Sequence, residues 1–305
     1  MGEAFAVGID VGGTNIKAVT IDASGRELER AGAATPGDRE RLVREVGEIY
    51  RRLDGAGAAA VGLCSPGLAG RDGRSIVWMR GRMEALQGLD WTSALGSHRP
   101  VRVLNDAHAA TVGEAWLGAA RDRRHVVLLT LGTGIGGGVL VDGRLLLGAI
   151  GRAGHHGHLS LDPYGSPDIC QAPGSLEDAV ADCSIERRTG GRFASTAELV
   201  AAVESGDAQA QSVWSRVVRS LAAGIASLVN VLDPEIVVIG GGIARAGDTL
   251  FVPLRREMAD VEWRPLGAGV PIVAAELGEH AGAIGAARFA MTVACVGTMF
   301  REERC

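Results

Sequence analysis

The stretch GIDVGGTNIKAVTID, residues 8–22, decides the fold. Apolar and β-branched residues stand on both sides of Gly12-Gly13, which predicts a strand, a tight glycine turn and a second strand. Glycine lets backbone N–H groups come close to an anion, because no Cβ stands in the way. The stretch therefore predicts either an anion-binding turn or a plain turn between strands, and the motif alone leaves both open.

Two later stretches repeat the pattern of an apolar strand followed by glycines. They are LTLGTGIGGGVLVDGRLLLGA at residues 129–149 and VIGGG at residues 238–242. None of the three matches GxxxxGK[ST], which excludes a Walker-type P-loop. None is a GxGxxG that opens a helix with an acidic residue about 20 positions further on, which disfavours a dinucleotide-binding Rossmann site.

Strand and helix patterns alternate along the whole chain, which predicts an α/β fold. The segment that begins near residue 126 repeats the strand–glycine turn–strand order of the N-terminus, so the two halves have related architecture. We predict two domains. Residues 1–119 form the smaller one, joined by a C-terminal helix at 290–305, and residues 120–289 form the larger one.

Composition excludes several classes of protein. The 305 residues suffice for two domains, and 47% hydrophobic with 22% charged residues indicates a globular protein. A net charge of −5 disfavours a nucleic-acid partner. Five scattered cysteines indicate no disulfide framework, and no apolar run has the length of a membrane span. We therefore expect a cytoplasmic protein without a membrane partner.

Taken together, the three glycine stretches resemble the sugar-kinase branch of the two-domain actin-like ATPase (ribonuclease H-like) fold and, within it, the ROK family. The resemblance covers essentially the whole chain and implies ATP and Mg²⁺ as cofactors. It implies that the first two turns hold the ATP phosphates, that the third lies near the adenosine, and that Asp10 is close to Mg²⁺ through water. The implied ATP-binding residues are Asp10, Gly12, Gly13, Thr14, Asn15, Lys17, Thr133, Gly134, Gly241 and Gly242.

The stretch VLNDAHAA, residues 103–110, places Asn105-Asp106 between a strand and a helix. Phosphoryl transfer to a sugar hydroxyl needs a carboxylate that accepts the hydroxyl proton. The alternative is that Asp106 only caps the helix. The resemblance implies that Asn105, Asp106 and Gly67 contact the sugar and that Asp106 is the general base. We expect His108 to lie on the helix surface.

The stretch GRAGHHGHLSLDPYGSPDICQAPGSLED, residues 151–178, holds three of the seven histidines. It is similar to the ROK signature E-x-G-H followed by C-x-C-G-x-x-G-C-x-E, whose histidine and three cysteines hold a structural zinc ion. His158 and Cys170 match two of those four ligands, whereas Asp168 and Ser175 replace the other two. Serine is a poor zinc ligand, so we expect no structural zinc here.

The same signature implies sugar-binding roles for His158 and Glu177. His155 stands where the family has glutamate. A neutral imidazole has one donor and one acceptor, whereas glutamate accepts from two hydroxyls. His155 is therefore either a tolerated replacement or a sign of a modified sugar.

The resemblance implies an ATP- and Mg²⁺-dependent kinase that phosphorylates the primary 6-hydroxyl of a glucose-like hexose or amino-hexose. Lys17 is the only lysine among 31 basic residues, a bias typical of GC-rich bacteria such as actinomycetes. An antibiotic-pathway substrate such as kanosamine is therefore considered beside glucose, N-acetylmannosamine and a C7-cyclitol.

Two other functions remain as alternatives. A sugar-sensing ROK regulator would carry a helix-turn-helix before the first strand, whereas here that strand is reached by residue 6. A non-catalytic sugar-binding protein would not need Asp10, Asp106 and all three glycine turns together. The family resemblance also implies a homodimer.

Overall fold

The computed structural model describes residues 4–54, 57–81 and 83–302, and within these it leaves out the side chains of residue 54 and of residues 294–302. The described chain divides into two compact units. Unit 1 contains the residues up to Asp122, Leu145–Ala153 and the residues from Glu276 onward, and unit 2 contains Arg123–Arg144 and Gly154–Ala275.

These units differ from the domains expected at 1–119 with 290–305 and at 120–289. The C-terminal part of unit 1 begins at Glu276 rather than at residue 290, and Leu145–Ala153 also belongs to unit 1. The physical reason is packing: Leu145 and Leu147 lie against a small apolar cluster of that unit. Residues 303–305 lie outside the described residues.

Unit 1 is built on a five-stranded sheet with the strand order β3-β2-β1-β4-β7. Strands β1, β4 and β7 are parallel, and β2 and β3 are antiparallel to their neighbours. Its elements are β1 Phe5–Val11, β2 Asn15–Asp22, β3 Glu27–Ala34, α1 Arg39–Asp54, β4 Ala60–Ser65, β5 Leu68–Ala69, β6 Ile76–Trp78, α2 Trp91–Ala94, β7 Val101–Asn105, α3 Asp106–Leu117 and α9 Ala281–Glu302.

Helix α9 packs so closely on this sheet and on α3 that glycine is needed at the contacts. A Cβ on Gly8 of β1 would lie 1.9 Å from the carbonyl oxygen of Ala283, and one on Gly62 of β4 would lie 1.9 Å from that of Ala286. Atoms cannot approach this closely, so the absence of a side chain at these glycines sets the depth at which α9 lies.

Unit 2 contains a second five-stranded sheet with the order β10-β9-β8-β11-β12. Strands β8, β11 and β12 are parallel, and β9 is antiparallel to β8. Its elements are β8 Val126–Leu131, β9 Ile135–Val141, β10 Arg144–Leu145 (ending in the first residue of the inserted unit 1 segment), α4 Leu176–Val180, α5 Ile185–Thr189, α6 Thr196–Glu204, α7 Ala208–Leu232, β11 Ile236–Gly240, α8 Asp248–Val261 and β12 Ile272–Ala274.

The two sheets have equivalent strand order: β2 and β9 are antiparallel to β1 and β8, and the two strands on the other side of β1 and of β8 are parallel. The predicted repeat of architecture and the α/β class are therefore confirmed. In each sheet the glycine turns follow the carboxyl ends of parallel strands, where open α/β sheets bind ligands.

Helix α7 is the one described helix that is long and apolar enough to span a membrane by length and composition. Half of its apolar window is buried inside the structure, and residues such as Val217, Leu221 and Ile225 belong to the core of unit 2. Its burial is typical of a core helix.

Candidate active site

The first glycine turn joins β1 to β2 at the end of unit 1's sheet. The Gly12 N–H donates to the Asn15 carbonyl at 3.1 Å, and the Thr35 hydroxyl donates to the Gly12 carbonyl at 2.7 Å. Thr14 and Asn15 are exposed, and a Cβ on Gly13 would meet nothing within 4 Å. Hydrogen bonds of Gly12 thus fix the inner side of the turn, while its outer face is exposed, as an anion-binding turn requires.

Asp10 lies on β1 beside this turn and is paired in register with Lys17 of β2 and Cys64 of β4. Burial and the nearby negative charge of Asp106 raise the pKa of Asp10 from its ordinary value to about 7. A hydrogen bond with Cys64 and the positive charge of Lys17 act in the opposite direction. The Lys17 Nζ also lies 3.3 Å from a carboxylate oxygen of Glu279.

The raised pKa of Asp10 predicts a pH-dependent stability. An acid whose pKa is raised in the folded state stabilises that state below its unfolded pKa, and this contribution is lost as the pH rises through about 7. Asp10→Asn should therefore be more stable than the wild type at pH 8, by roughly 4 kcal/mol, and scarcely more stable at pH 4. Thermal unfolding of both proteins across this range, without nucleotide or divalent cation, measures the difference. A constant difference at all pH values would contradict it.

Asn105 and Asp106 follow β7, whose end lies beside the end of β4 in the parallel sheet. Asn105 is the N-cap of α3: its side-chain oxygen accepts from the N–H groups of Ala107 at 3.0 Å and His108 at 3.1 Å. Its amide nitrogen donates to the Gly67 carbonyl at 3.0 Å. The N-cap of α3 is thus Asn105 and not Asp106, although Asp106 Oδ1 also accepts the Ala107 N–H, at 2.9 Å. Asp106, in the first turn of α3, is only partly buried.

The expectation that His108 lies on the helix surface is wrong. Its side chain is fully buried, and its Nε2 lies 2.6 Å from the carbonyl oxygen of Ala153. A carbonyl oxygen can only accept, so Nε2 carries the proton. The contact comes from a segment 45 residues further along the chain, which local helix patterning does not reveal.

The second glycine turn, in unit 2, contains Thr133 and Gly134 and lies against Glu177. The Ile135 N–H donates to Glu177 Oε2 at 2.8 Å, and a Cβ on Gly134 would lie 2.5 Å from the same oxygen. The Thr133 carbonyl accepts from the Cys183 N–H at 2.9 Å, while Thr133 itself is exposed. The structure thus brings a predicted phosphate-binding turn and a predicted sugar-binding carboxylate together.

The third turn follows β11, whose last residue is paired with the end of β8. Gly241 has a φ of +88°, and a Cβ there would lie 2.3 Å from the Leu131 carbonyl oxygen. A side chain is excluded at Gly241 on both grounds. Gly242 is exposed with nothing near its Cβ position. The second and third turns therefore lie at the same edge of unit 2's sheet.

His155 precedes a single turn of 3-10 helix, His156–His158, and is half-buried. His158 Nδ1 lies 2.7 Å from Oδ2 of the buried Asp168. Burial raises the pKa of Asp168, but the hydrogen bonds that it accepts from His158 and from backbone N–H groups outweigh burial and hold this pKa below its ordinary value. Asp168 is therefore an anionic partner that orients the His158 ring.

The donor set around His158 does not fit a closed structural zinc site. Donor atoms of His158, Asp168 and Cys170 lie within 4.8 Å of one another. The fourth family position, Ser175, is the N-cap of α4, and its hydroxyl oxygen accepts from the Asp178 N–H at 3.2 Å. The Asp168 Oδ1 accepts from two backbone N–H groups, at 2.8 and 2.9 Å. Hydrogen bonds thus connect positions that hold zinc in the family.

We predict that the purified protein carries less than about 0.1 zinc per chain and that a chelator leaves its thermal stability unchanged, because two of four tetrahedral ligands are replaced. Metal analysis and unfolding with and without chelator measure this. Asp168→Cys/Ser175→Cys, which restores the family ligands, is the positive control and should bind zinc. Stoichiometric zinc in the wild type would contradict the prediction.

The predicted site residues fall into two groups, one in each unit. In unit 1 they are Asp10, Gly12, Gly13, Thr14, Asn15, Lys17, Gly67, Asn105 and Asp106, and in unit 2 they are Thr133, Gly134, His155, His158, Glu177, Gly241 and Gly242. Sequence reasoning missed the pairing of Asp168 with His158 and the burial of Glu114 on α3. The signal for Asp168 was its position, ten residues after the histidine.

Comparison with known proteins identifies the family. Residues 6–293 match the ROK family. A glucokinase of Thermotoga maritima is 35% identical, over 92% of this chain and 95% of that protein. The ROK hexokinase structure from Thermus thermophilus has a TM-score of 0.82 at 34% identity, covering 94% of this chain and 98% of that one.

A second solved structure contains a sugar and an ATP analogue. It is a ROK family glucokinase from Streptomyces griseus in complex with glucose and AMPPNP, with a TM-score of 0.77 at 27% identity, covering 95% of this chain and 100% of that one. The chain therefore belongs to the ROK family, has the actin-like ATPase fold of its sugar kinases, and is an ATP-dependent sugar kinase.

Proposed function

We propose that this kinase transfers the γ-phosphoryl group of ATP to the primary 6-hydroxyl of a glucose-like hexose or amino-hexose such as kanosamine, with Asp106 as the general base. The observation that carries the proposal is that different residues cap α3 and present a carboxylate at its N-terminus. Asn105 caps the helix, and Asp106 presents a partly buried carboxylate beside it. Such a carboxylate can accept the hydroxyl proton as the O–P bond forms.

Magnesium is part of the proposal, and the acidic residues of unit 1 suit it. Asp10 and Asp106 are close enough for the charge of one to raise the pKa of the other. A divalent cation would relieve this repulsion, and Asp10 would hold it through water. When bound, the ion would supply charge neutralisation on the phosphates.

The proposed sugar-binding set in unit 2 is His155, His158 and Glu177. The carboxylate of Asp168 accepts from Nδ1 of His158, so a neutral His158 ring has Nε2 as an acceptor for a sugar hydroxyl. Glu177 is held by the Ile135 N–H and accepts hydroxyl protons readily as a carboxylate. Asn105 and Gly67 are the proposed sugar contacts of unit 1.

His155 supports an amino-hexose rather than plain glucose. A neutral imidazole offers one donor and one acceptor where the family's glutamate accepts from two hydroxyls, so one side of the sugar meets different hydrogen-bonding groups. The single lysine among 31 Lys and Arg residues is typical of proteins from GC-rich bacteria. Such bacteria have antibiotic pathways that use amino sugars, which supports kanosamine. Plain glucose, N-acetylmannosamine and a C7-cyclitol are the alternative substrates.

A coupled ADP-release assay with ATP and Mg²⁺ tests the substrate. The panel is glucose, mannose, N-acetylmannosamine, fructose, glucosamine, kanosamine and a C7-cyclitol. We expect an amino-hexose to exceed glucose in kcat/KM by about tenfold, equivalent to ~1.4 kcal/mol of transition-state discrimination. His155→Glu, which restores the family residue, should shift the preference toward glucose. If glucose leads in the wild type, His155 is a neutral replacement and the amino-hexose proposal is wrong.

The remaining parts of the proposal are a homodimer in the cytoplasm that binds neither nucleic acid nor membrane. The net charge of −5 supports the absence of a nucleic-acid partner. Gel filtration with light scattering tests the dimer. The same ADP-release assay separates the kinase from a regulator or a silent binding protein, because only the kinase releases ADP in response to sugar.

A further inference from the structure

Helix α3, which begins with Asp106, also lies where the chain passes between the two units. The chain makes four such passages, after Asp122, Arg144, Ala153 and Ala275. At each passage, residues of unit 1 contact α3 or a small apolar cluster that includes a residue of α3. Two of the contacts are made by polar side chains that are fully buried in the described structure.

Glu114 accepts hydrogen bonds from the backbone at two of the passages. Its side chain has no exposed surface, and Oε2 accepts from the N–H of Ala119 at 2.8 Å and of Glu276 at 3.1 Å. Oε1 accepts from the Leu277 N–H at 2.8 Å. Ala119 lies just before the passage after Asp122, and Glu276 is the first residue after the last passage. One carboxylate therefore binds the backbone of two passages.

His108 holds a third passage. It is fully buried, and its Nε2 donates to the carbonyl of Ala153, the last residue before unit 2 resumes at Gly154. His108 lies two residues after Asp106, and Ala153 lies two residues before His155. The hydrogen bond thus fixes the last residue of this unit 1 segment to the first turns of α3.

Apolar packing holds the fourth passage. Leu145 and Leu147 follow it and pack against a cluster that includes Ala109 of α3. By contrast, a buried carboxylate and a buried imidazole are costly unless each is hydrogen-bonded. A residue that only filled space at 108 or 114 would need no polar atoms, so these side chains are explained by the backbone groups that they hold.

We propose that Glu114 and His108 are positioning residues for phosphoryl transfer, because they fix the passages between the units to the helix that carries Asp106. The proposal rests on the function proposed for Asp106. Glu114, His108 and the backbone groups that they bind lie at or near the ends of elements, and a few residues at such places commonly set a hinge.

The experiment compares kcat, KM and hydrogen exchange in Glu114→Gln, His108→Leu and His108→Gln. An amide at position 114 places an N–H₂ group against an N–H donor, and leucine at 108 removes the donor to Ala153. We expect kcat to fall by about tenfold or more in Glu114→Gln and His108→Leu, with KM for the sugar changed less than about threefold. His108→Gln, whose amide nitrogen can reach the same carbonyl, should recover most of kcat.

Thr111→Val is the matched control. Thr111 is fully buried on α3, and its hydroxyl donates to the Ala107 carbonyl of the same helix at 2.8 Å. This variant should keep kcat within about twofold of the wild type. Amide exchange at Ala119, Glu276 and Leu277 should be faster in Glu114→Gln and unchanged in the control.

Two results would overturn the proposal. One is a kcat in Glu114→Gln and His108→Leu equal to that of the control, with only thermal stability lowered. The other is unchanged exchange at the three amides in folded Glu114→Gln. Failure of the proposed function can be distinguished from failure of this proposal. It would appear as a wild-type protein that turns over no sugar in the panel, whereas the hydrogen-exchange measurement needs no turnover.

Discussion

Asp106→Asn is expected to lower kcat for sugar phosphorylation by about 10²–10⁴-fold, the usual contribution of a general base. Asparagine has the same shape, and its oxygen can still accept the Ala107 N–H that now donates to Asp106 Oδ1 at 2.9 Å. The cap of α3 is also kept, because Asn105 provides it. The change therefore removes the proton acceptor and its charge while the helix stays in place.

Steady-state kinetics with the best sugar of the panel measures this loss. The KM for the sugar should change far less than kcat, because the hydroxyl is still bound. Asp207→Asn is the control, since Asp207 is an aspartate at the N-terminus of α7 in unit 2 and has no proposed role in the reaction. It should keep full activity. An Asp106→Asn enzyme that works at the wild-type rate would show that another group takes the proton.

The glycine turns could be predicted from sequence because the residues that form each turn are adjacent in the chain. A turn that follows a strand and approaches an anion needs glycine and short polar residues at fixed positions, as at Gly12-Gly13-Thr14. The strand order in each sheet then brings turns from distant parts of the chain to one edge. The position of Asp106 directly after a strand was predictable for the same reason, and this is where a parallel sheet places its ligands; its role as the base stays a prediction.

His108 and Glu114 could not be predicted, because their surroundings come from far along the chain. Their neighbours include Ala153, Glu276 and Leu277, which no helical pattern within residues 106–117 reveals. The same holds for the boundaries of the units. No change of composition marks Leu145–Ala153, and only its packing assigns it to unit 1.

The zinc positions show an intermediate case. The sequence indicates that two thiolates are missing, and from this the loss of the metal can be predicted. It does not indicate which hydrogen bonds the residues at these positions make. Asp168 accepts one hydrogen bond from His158 and two from backbone N–H groups, an arrangement that depends on how residues 168–172 turn.

Gly285→Ala is expected to cause the largest loss of stability, about 3 kcal/mol or more. A Cβ at this position of α9 would lie 1.7 Å from the Ala109 carbonyl oxygen of α3 and 2.8 Å from the Gly113 nitrogen. Both neighbours are backbone atoms of a helix, which cannot rotate away as a side chain can. The two helices would have to move apart along a contact that also includes the sheet.

Gly47→Ala is the control, because the same change inside helix α1 should have the opposite sign. There the added Cβ would meet only the flexible end of Arg51, at 3.4 Å. Alanine loses less backbone entropy than glycine on folding, so this variant should gain about 0.5–1 kcal/mol. Thermal unfolding of the two variants beside the wild type measures both effects. Equal melting temperatures for the two variants would mean that α3 and α9 are not in backbone contact at Gly285, and the close packing that holds Glu114 against Leu277 would lose its support.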